Sequence, residues 1–386
     1  MAVERKLHAN EDRCLNSERI DYPFLFLILL LLTVGLTMLY SASFAQSQYD
    51  TGYTVSTKYL QKQAVCAIIG LIAMYFFSRI PTALWYRLAW PLYGVGILLL
   101  LSVLVIGQEV NGAKRWINIA GIQFQPSEVA KFTQILLFAR LTRNFGQNAK
   151  QFRYGVLGFG MALLGILIPL ALEKHLSAIM LMGMVAVVMM FVAGTSPKWL
   201  LAGAAAAGVF VIIYITFMGY AGDRVTAWLH PEQDPGDTGY QILQSLYAIG
   251  SGGLFGLGFG KSRQKYLYLP FQYNDYIFAV CCEELGLIGA VSIAILFAAA
   301  ILRGYWIALQ ARDRFSTVLA SGLITLIAVQ TILNLCVVTN LLPSTGIALP
   351  FFSYGGTALA VNLGEMGIVL QISRQRNQRK IQEEIL

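Results

Sequence analysis

Ten apolar stretches run through the chain, and the basic residues lie mainly in the segments between them. Long apolar stretches of this kind are typical of helices that cross a bilayer. Only 12% of the residues are charged and 57% are hydrophobic, whereas about a quarter of a soluble domain is charged. We therefore expect an all-α polytopic membrane protein with about ten transmembrane helices. The expected spans are 22–39, 64–77, 89–106, 129–141, 155–172, 176–192, 199–218, 276–302, 316–338 and 348–372.

The basic residues also predict how the chain is oriented, because cytoplasmic loops retain Lys and Arg. Most Lys and Arg residues lie on the cytoplasmic side if residues 1–21 form a cytoplasmic tail, residues 22–373 a ten-helix domain and residues 374–386 a second cytoplasmic tail. The long loop at 219–274, before the eighth helix, is then extracytoplasmic. This topology explains the net charge of +8 better than a nucleic-acid partner, which would need basic residues clustered on one polar surface.

The long loop has two recognisable parts. Its middle, TGYQILQSLYAIG, has apolar residues at helical spacing, which predicts a short helix on the membrane surface or, alternatively, a helix buried within the loop. The following GSGGLFGLGFG, residues 250–260, lacks the lysine and Ser/Thr of a phosphate-binding loop. We interpret it as a hinge or as a close approach between backbones.

Asp275 lies where this polar loop meets the eighth apolar stretch. An acid at the mouth of an apolar span is costly to desolvate, so it is expected to face a cavity, a cation or a partner group. The alternative is that Asp275 only caps the helix that starts near Tyr276. Neighbouring charges favour a functional role: Lys261, Arg263, Lys265, Glu283 and Glu284.

Two further charged pairs follow the third span. Lys114 and Arg115 stand beside Trp116 on the side that the positive-inside bias disfavours for cations, so they suit an anionic lipid head group or form an exposed basic turn. Glu128 and Lys131 are three residues apart and share one face of the fourth helix. They are either an internal ion pair or part of a substrate site, and the two roles are compatible.

The last span is interrupted by Pro and Gly in the sequence LLPSTGIALPFFSYGG. A broken helix at membrane depth persists only where protein or a water-filled cavity satisfies its backbone groups. The same small residues also suit tight helix packing. This segment fits a substrate groove in an enzyme and a pathway in a transporter equally well.

Four segments, in this order, resemble a known family. They are NGAKRWINI with QPSEVAK, then DRVTAWLHPEQDPGDTGYQILQSLYAIGSGGLFGLGFG, then YLPFQYNDYIFAVCCEELG, and finally LLPSTGIALPFFSYGG. Over about residues 22–373 the chain resembles the SEDS proteins, the family that includes FtsW, RodA and SpoVE, and it is most similar to the FtsW type.

This resemblance implies ten transmembrane helices in the bacterial cell membrane and a glycosyltransferase that polymerises lipid II during cell division or elongation. It also implies a class B penicillin-binding protein as partner, together with other division or elongation membrane proteins. The essential aspartate of the family falls on Asp275, and its paired Glu and Lys fall on Glu128 and Lys131. One departure is the turn EKHLSA, where His175 stands in place of the Asp of the common QPDLGT.

The implied chemistry assigns a role to each candidate. A hydroxyl of lipid II attacks the anomeric carbon of the lipid-linked glycan, with Asp275 as the expected general base. The diphosphate leaving group would be stabilised by cations or by a bound divalent metal, Mg²⁺ or Mn²⁺. The candidate cations are Lys114, Arg115, Lys131 and Arg224. The rival functions are a lipid II flippase and a non-catalytic division scaffold.

Overall fold

The computed structural model describes residues 20–110, 113–119, 122–203, 205, 226–233 and 238–385. The N-terminal tail up to residue 19, Arg224 and most of the expected seventh span lie outside these ranges. The main helices are α1 (Tyr22–Asp50), α2 (Lys58–Phe77), α3 (Thr82–Ile106), α4 (Pro126–Phe145), α5 (Phe159–Leu172), α6 (Leu176–Val192), α7 (Thr238–Gly252), α8 (Ile277–Leu309), α9 (Arg314–Val338) and α10 (Thr357–Ile385).

The chain is a multi-pass membrane protein. Within the described ranges, six helices are long and apolar enough to cross a bilayer: α1, α2, α3, α5 with the π-helical turn Arg153–Gly158 before it, α8 and α9. Helix α6 is apolar but shorter. Helices α4 and α10 coincide with the fourth and tenth expected spans but contain more polar residues. The count of ten crossings stays a prediction.

The segment after α3 corrects the all-α expectation. Residues expected to form a loop make a three-stranded antiparallel sheet of β1 (Gln108–Val110), β2 (Ala113–Ile119) and β3 (Ile122–Phe124). Strand β2 is central, and Ile117 pairs with Phe124. The sequence WINI contains an aromatic and two β-branched residues, which favour a strand, but so short a pattern is easily read as a loop.

Helix α9 occupies the centre of the domain. It packs against α4, α6, α8 and α10, and most of its apolar window is buried. The Asp313 carboxylate accepts hydrogen bonds from the amides of Phe315 and Ser316 and so caps its first turn. Outer helices instead leave apolar side chains such as Val105 and Leu302 exposed, as lipid contact requires.

One end of the domain is joined through Asp21. Its carboxylate caps α1 by accepting from the amide of Phe24 and receives two hydrogen bonds of 2.9 Å from the Arg303 guanidinium of α8. Its own amide donates to Ser373 Oγ of α10 at 3.0 Å. The first, eighth and tenth helices are therefore connected by one residue.

Helix α7 packs against the rest of the protein. Of the two alternatives for the helix in the long loop, the structure therefore has the buried one. Ile242 and Ala248 are buried, and Ser245 Oγ donates to the carbonyl of Val338 in α9 at 2.8 Å. The glycine run after α7 approaches the backbone of α8: a Cβ on Gly256 would lie 2.2 Å from the Glu284 carbonyl oxygen. Opposite it, Gly286 adopts φ 67° and breaks the helix.

Candidate active site

Asp275 stands just before α8 and is partly exposed. The helix begins at Ile277, and Tyr276 takes the N-cap position without a side-chain capping bond. Asp275 therefore precedes the residue that would cap the helix. Its carbonyl accepts a 2.7 Å hydrogen bond from Asn334 Nδ2 of α9, which fixes the backbone that carries the carboxylate.

The same amide of Asn334 also donates to the carbonyl of Ile347 at 2.8 Å. Residues 343–356, the start of the expected tenth span, are not helical and run beside the segment that carries Asp275. Ser353 Oγ donates to the Asn274 carbonyl at 2.7 Å, and the Tyr354 amide donates to the Tyr273 carbonyl at 2.9 Å. The two irregular segments are thus cross-linked at several points.

Gln63 of α2 hydrogen-bonds to backbone groups of the irregular segment, residues 343–356. Its Nε2 donates to the Ser353 carbonyl at 3.1 Å, and its Oε1 accepts from the amides of Gly355 at 3.3 Å and Gly356 at 3.1 Å. Gln63 itself is fully buried. Protein side chains therefore compensate the broken helix, as its position within the membrane domain requires.

Glu128 and Lys131 form the expected ion pair in the first turns of α4. Lys131 Nζ lies 2.7 Å from Glu128 Oε2, and both side chains are nearly buried. Pro126 is the first residue of the helix. Proline suits this position because its fixed φ is helical and it has no N–H that would lack a partner. Whether the pair also binds substrate stays a prediction.

Glu365 of α10 is a third ionisable residue at this pair, and sequence reasoning missed it. It is only 2% exposed and interacts electrostatically with both Lys131 and Glu128. Among the described residues neither of its carboxylate oxygens has a hydrogen-bond partner. An acid within an apolar span was the available signal.

Arg115 and the turn between α5 and α6 lie together. Arg115 Nη2 donates to the carbonyl of Lys174. Burial raises the pKa of the Glu173 carboxyl to about 8, with Arg115 opposing the shift. Burial, together with the charges of Arg115 and Lys131, lowers the pKa of His175 to about 3. The turn therefore presents a neutral imidazole next to two cations.

The turn and Asp275 lie on either side of residues 345–346. Ser177 Oγ, in the first turn of α6, donates to the Thr345 carbonyl. A Cβ added to Gly346 would lie 3.3 Å from Asp275 Oδ2, and this glycine has φ 67°. Asp275 and the helix that follows the Arg115-contacting turn thus both adjoin residues 345–346. Lys131 is close enough to act electrostatically on His175 of that turn. Alternation along β2 directs Lys114 to the face opposite Arg115, and Arg224 lies outside the described residues.

Three of the charges that flank Asp275 in sequence, Lys265, Glu283 and Glu284, bond within a cluster of their own. Lys265 Nζ lies 3.0 Å from Glu284 Oε1 and 3.0 Å from Ser41 Oγ. Glu283 accepts from the amide of Arg263 at 2.9 Å and from the hydroxyl of Ser262. These acids hold the loop against α8.

A divalent cation would find a limited set of ligands here. In the part of the chain that the structure describes, no three His, Cys, Asp or Glu side chains converge as a metal site would require. Mg²⁺ is often bound by one or two carboxylates together with substrate phosphates. Asp275 is the partly exposed carboxylate that fits such shared ligation.

Comparison with known proteins identifies the family. The model of the family described as "Cell cycle protein", which comprises FtsW, RodA and SpoVE, matches residues 22–378. The chain is 40% identical over 361 residues to a "Probable peptidoglycan glycosyltransferase FtsW" of Geobacter metallireducens, covering 92% of this chain and 95% of that protein. It is 38% identical over 358 residues to "Stage V sporulation protein E" of Bacillus subtilis, covering 92% and 97%.

Solved structures agree with these relatives. A chain from "Structural coordination of polymerization and crosslinking by a peptidoglycan synthase complex" aligns with a TM-score of 0.78 at 28% identity, covering 92% of this chain and 98% of that one. The rod shape determining protein RodA of Thermus thermophilus aligns with a TM-score of 0.68 at 27% identity, covering 92% and 97%. Matching in sequence over residues 22–378 and in fold over nearly the same length, the chain belongs to the FtsW, RodA and SpoVE family, the SEDS proteins.

Proposed function

We propose that this protein is a peptidoglycan glycosyltransferase that polymerises lipid II into glycan strands. The observation that carries the proposal is the placement of Asp275. It is a partly exposed carboxylate on a backbone fixed by Asn334, and it lies beside Gly346. The neighbouring Thr345 accepts a hydrogen bond from Ser177, just after the turn on which the charges of Arg115 and Lys131 act. Relatives named as peptidoglycan glycosyltransferases, similar over 92% of the chain, support the reaction class.

The reaction follows from these groups. The 4-hydroxyl of the lipid II GlcNAc attacks the anomeric carbon of the growing glycan, and Asp275 accepts the hydroxyl proton. The bond from that carbon to undecaprenyl diphosphate breaks, and the leaving diphosphate takes the electron pair. Arg115 and Lys131 stabilise its increasing charge. A single displacement inverts the anomeric carbon. Asp275 would hold a divalent cation, which would supply further charge stabilisation for the leaving diphosphate.

The proposal includes the topology and the partner. Ten crossings with both termini in the cytoplasm put Asp275 on the extracytoplasmic side, where lipid-linked strands are built. A class B penicillin-binding protein is the proposed partner, supported by the likeness to a chain of a peptidoglycan synthase complex. Lipid II and the lipid-linked glycan are the proposed substrates.

The decisive experiment separates polymerisation from transport. Purified protein is reconstituted into vesicles with fluorescent lipid II and a class B partner whose transpeptidase serine is inactivated. Polymer on a denaturing gel, which is absent when Asp275→Asn replaces the wild type, is the expected result. Movement of lipid II across the vesicle membrane without polymer would establish the flippase function instead. If neither polymer nor transport is observed, the result would support a non-catalytic scaffold.

A further inference from the structure

A groove separates α1 from the loop between α7 and α8. It encloses about 220 Å³ and is lined by Tyr40 and Phe44 of α1 and by Phe259, Lys265 and Tyr266 of the loop. It continues, through Tyr266, into an open hollow of about 760 Å³ whose walls include Lys261 and Arg263. We call this combined feature the aromatic groove. The site around Asp275 does not use it.

The level of the aromatic groove in the membrane follows from the length of α1. A helix rises about 1.5 Å per residue, so Tyr40 and Phe44 lie roughly 27 to 33 Å along α1 from Tyr22. The hydrocarbon core of a bilayer is about 30 Å thick. With Tyr22 at one surface, the groove lies at the head-group level of the opposite leaflet, where aromatic side chains are enriched.

The charge at the rim of the groove is positive. Residues 254–271 include no Asp or Glu. Lys265, at the floor, is buried and paired with Glu284, which leaves the exposed Lys261 and Arg263 as the cations of this segment that face solvent. Two rim cations near a membrane surface attract anionic lipid.

The apolar part of the loop supports contact with lipid. Phe255 is 80% exposed and Phe259 is 49% exposed, which is costly in water but favourable at the membrane interface. Tyr40 and Phe44 pack edge to face, with ring centroids 6.2 Å apart, and form one apolar wall. Cations at the rim and aromatic rings below them match a phosphate head group and the start of its acyl chain.

We propose that the aromatic groove binds an anionic glycerophospholipid of the leaflet that faces it. The phosphate lies between Lys261 and Arg263, and the first part of one acyl chain contacts Phe44 and Phe259. A phosphodiester is favoured over a polyprenyl diphosphate because the floor cation is already saturated by Glu284, so further acceptor oxygens would find no free charge. The proposal does not depend on the polymerase reaction.

The test compares lipids that differ only in head group. The full chain is purified with its native lipids removed, and binding of phosphatidylglycerol and of phosphatidylcholine with identical chains is measured by native mass spectrometry. Lys261→Gln with Arg263→Gln is expected to weaken phosphatidylglycerol binding by about fivefold per charge and to leave phosphatidylcholine unchanged. The matched control is Lys58→Gln with Lys62→Gln, which removes two cations from the same membrane side.

Three outcomes would overturn the proposal: phosphatidylglycerol binding that is unchanged in the rim variant, an equal loss of both lipids, or displacement of phosphatidylglycerol by equimolar undecaprenyl diphosphate. The second variant, Phe44→Ala with Phe259→Ala, changes no charge. It should weaken the binding of both lipids while preserving the preference for phosphatidylglycerol. Melting temperatures identify misfolding in either variant. Polymerisation in detergent without phosphatidylglycerol should be equal in wild type and rim variant, so failure of the polymerase assignment is visible separately.

Discussion

Two acidic sites near the border between the loop and α8, one at Glu284 and one at Asp275, look alike in sequence and differ in structure. At the first, Lys265, Glu284 and Ser41 are buried and bonded to one another. At the second, Asp275 is partly exposed beside Gly346. In the turn before α6, whose Ser177 bonds to the adjacent Thr345, Glu173 and His175 each have a buried polar atom without a hydrogen-bond partner among the described residues. A saturated cluster holds chain segments together, whereas incompletely bonded groups remain able to bind a substrate.

The comparison is tested most strongly at Lys265. Lys265→Met leaves Glu284 as a buried charge without its cation, which costs about 3–5 kcal/mol in comparable pairs. We expect a large loss of thermal stability in detergent. Lys261→Met, four residues earlier and exposed, is the matched control and should melt like the wild type. A stable Lys265→Met protein would show that the cluster is not structural.

Asp275 should behave in the opposite way. Asp275→Asn preserves size and removes the carboxylate, so we expect normal accumulation and melting while polymerisation falls by about two orders of magnitude or more. Asp50→Asn, which changes another partly exposed acid, should retain activity. Polymerisation by Asp275→Asn within a few-fold of wild type would falsify the assignment of the general base.

A smaller effect is expected at Gln63, which supports the segment beside Asp275. Gln63→Leu removes three hydrogen bonds to residues 353–356, and displacement of a catalytic group by about 1 Å can lower the rate up to a hundredfold. We expect kcat for polymerisation to fall about tenfold with little change in KM. Gln61→Leu, on the exposed face of the same helix, provides the control. Equal losses in both variants would point to general damage to α2.

The smallest expected effect is the pH dependence of folding stability that comes from Glu173. Its pKa is raised from 4.5 to about 8, so the folded state holds this proton more tightly than the unfolded state. The stability it contributes is complete below pH 4.5 and is lost as pH rises through about 8. His175, with its pKa lowered from 6.5 to about 3, loses its contribution only below pH 6.5.

Between pH 6.5 and 8, of these two groups only Glu173 changes its contribution to folding stability. Melting temperature of the wild type should decrease over this interval relative to Glu173→Gln. Glu232→Gln, at an exposed acid, should follow the wild type. Parallel curves for wild type and Glu173→Gln would show that the Glu173 proton is not coupled to folding.

Local patterns in the sequence predicted much of the architecture. Apolar runs located α1, α8 and α9, and the Pro and Gly residues of 343–356 indicated the interrupted start of the tenth span. The border position and the family motif singled out Asp275. The spacing of Glu128 and Lys131 predicted their ion pair. Each of these signals lies within a few residues of the feature it predicts.

Long-range pairings were not predictable in the same way. Gln63 bonds to a segment 290 residues away, and Asn334 joins Asp275 to Ile347 across the domain. Their sequence signal is only a polar residue within an apolar helix, which names no partner. Lys265 was assigned to Asp275 by proximity in the chain, but the turn between them directs it to Glu284.

The cross-links between residues 273–275 and 347–354 have a mechanical consequence. Side chains from α2 and α9 anchor both segments, so displacing the backbone of Asp275 would break several hydrogen bonds at once. A polymerase that extends a strand by one disaccharide in each cycle must then translocate its product past a fixed point.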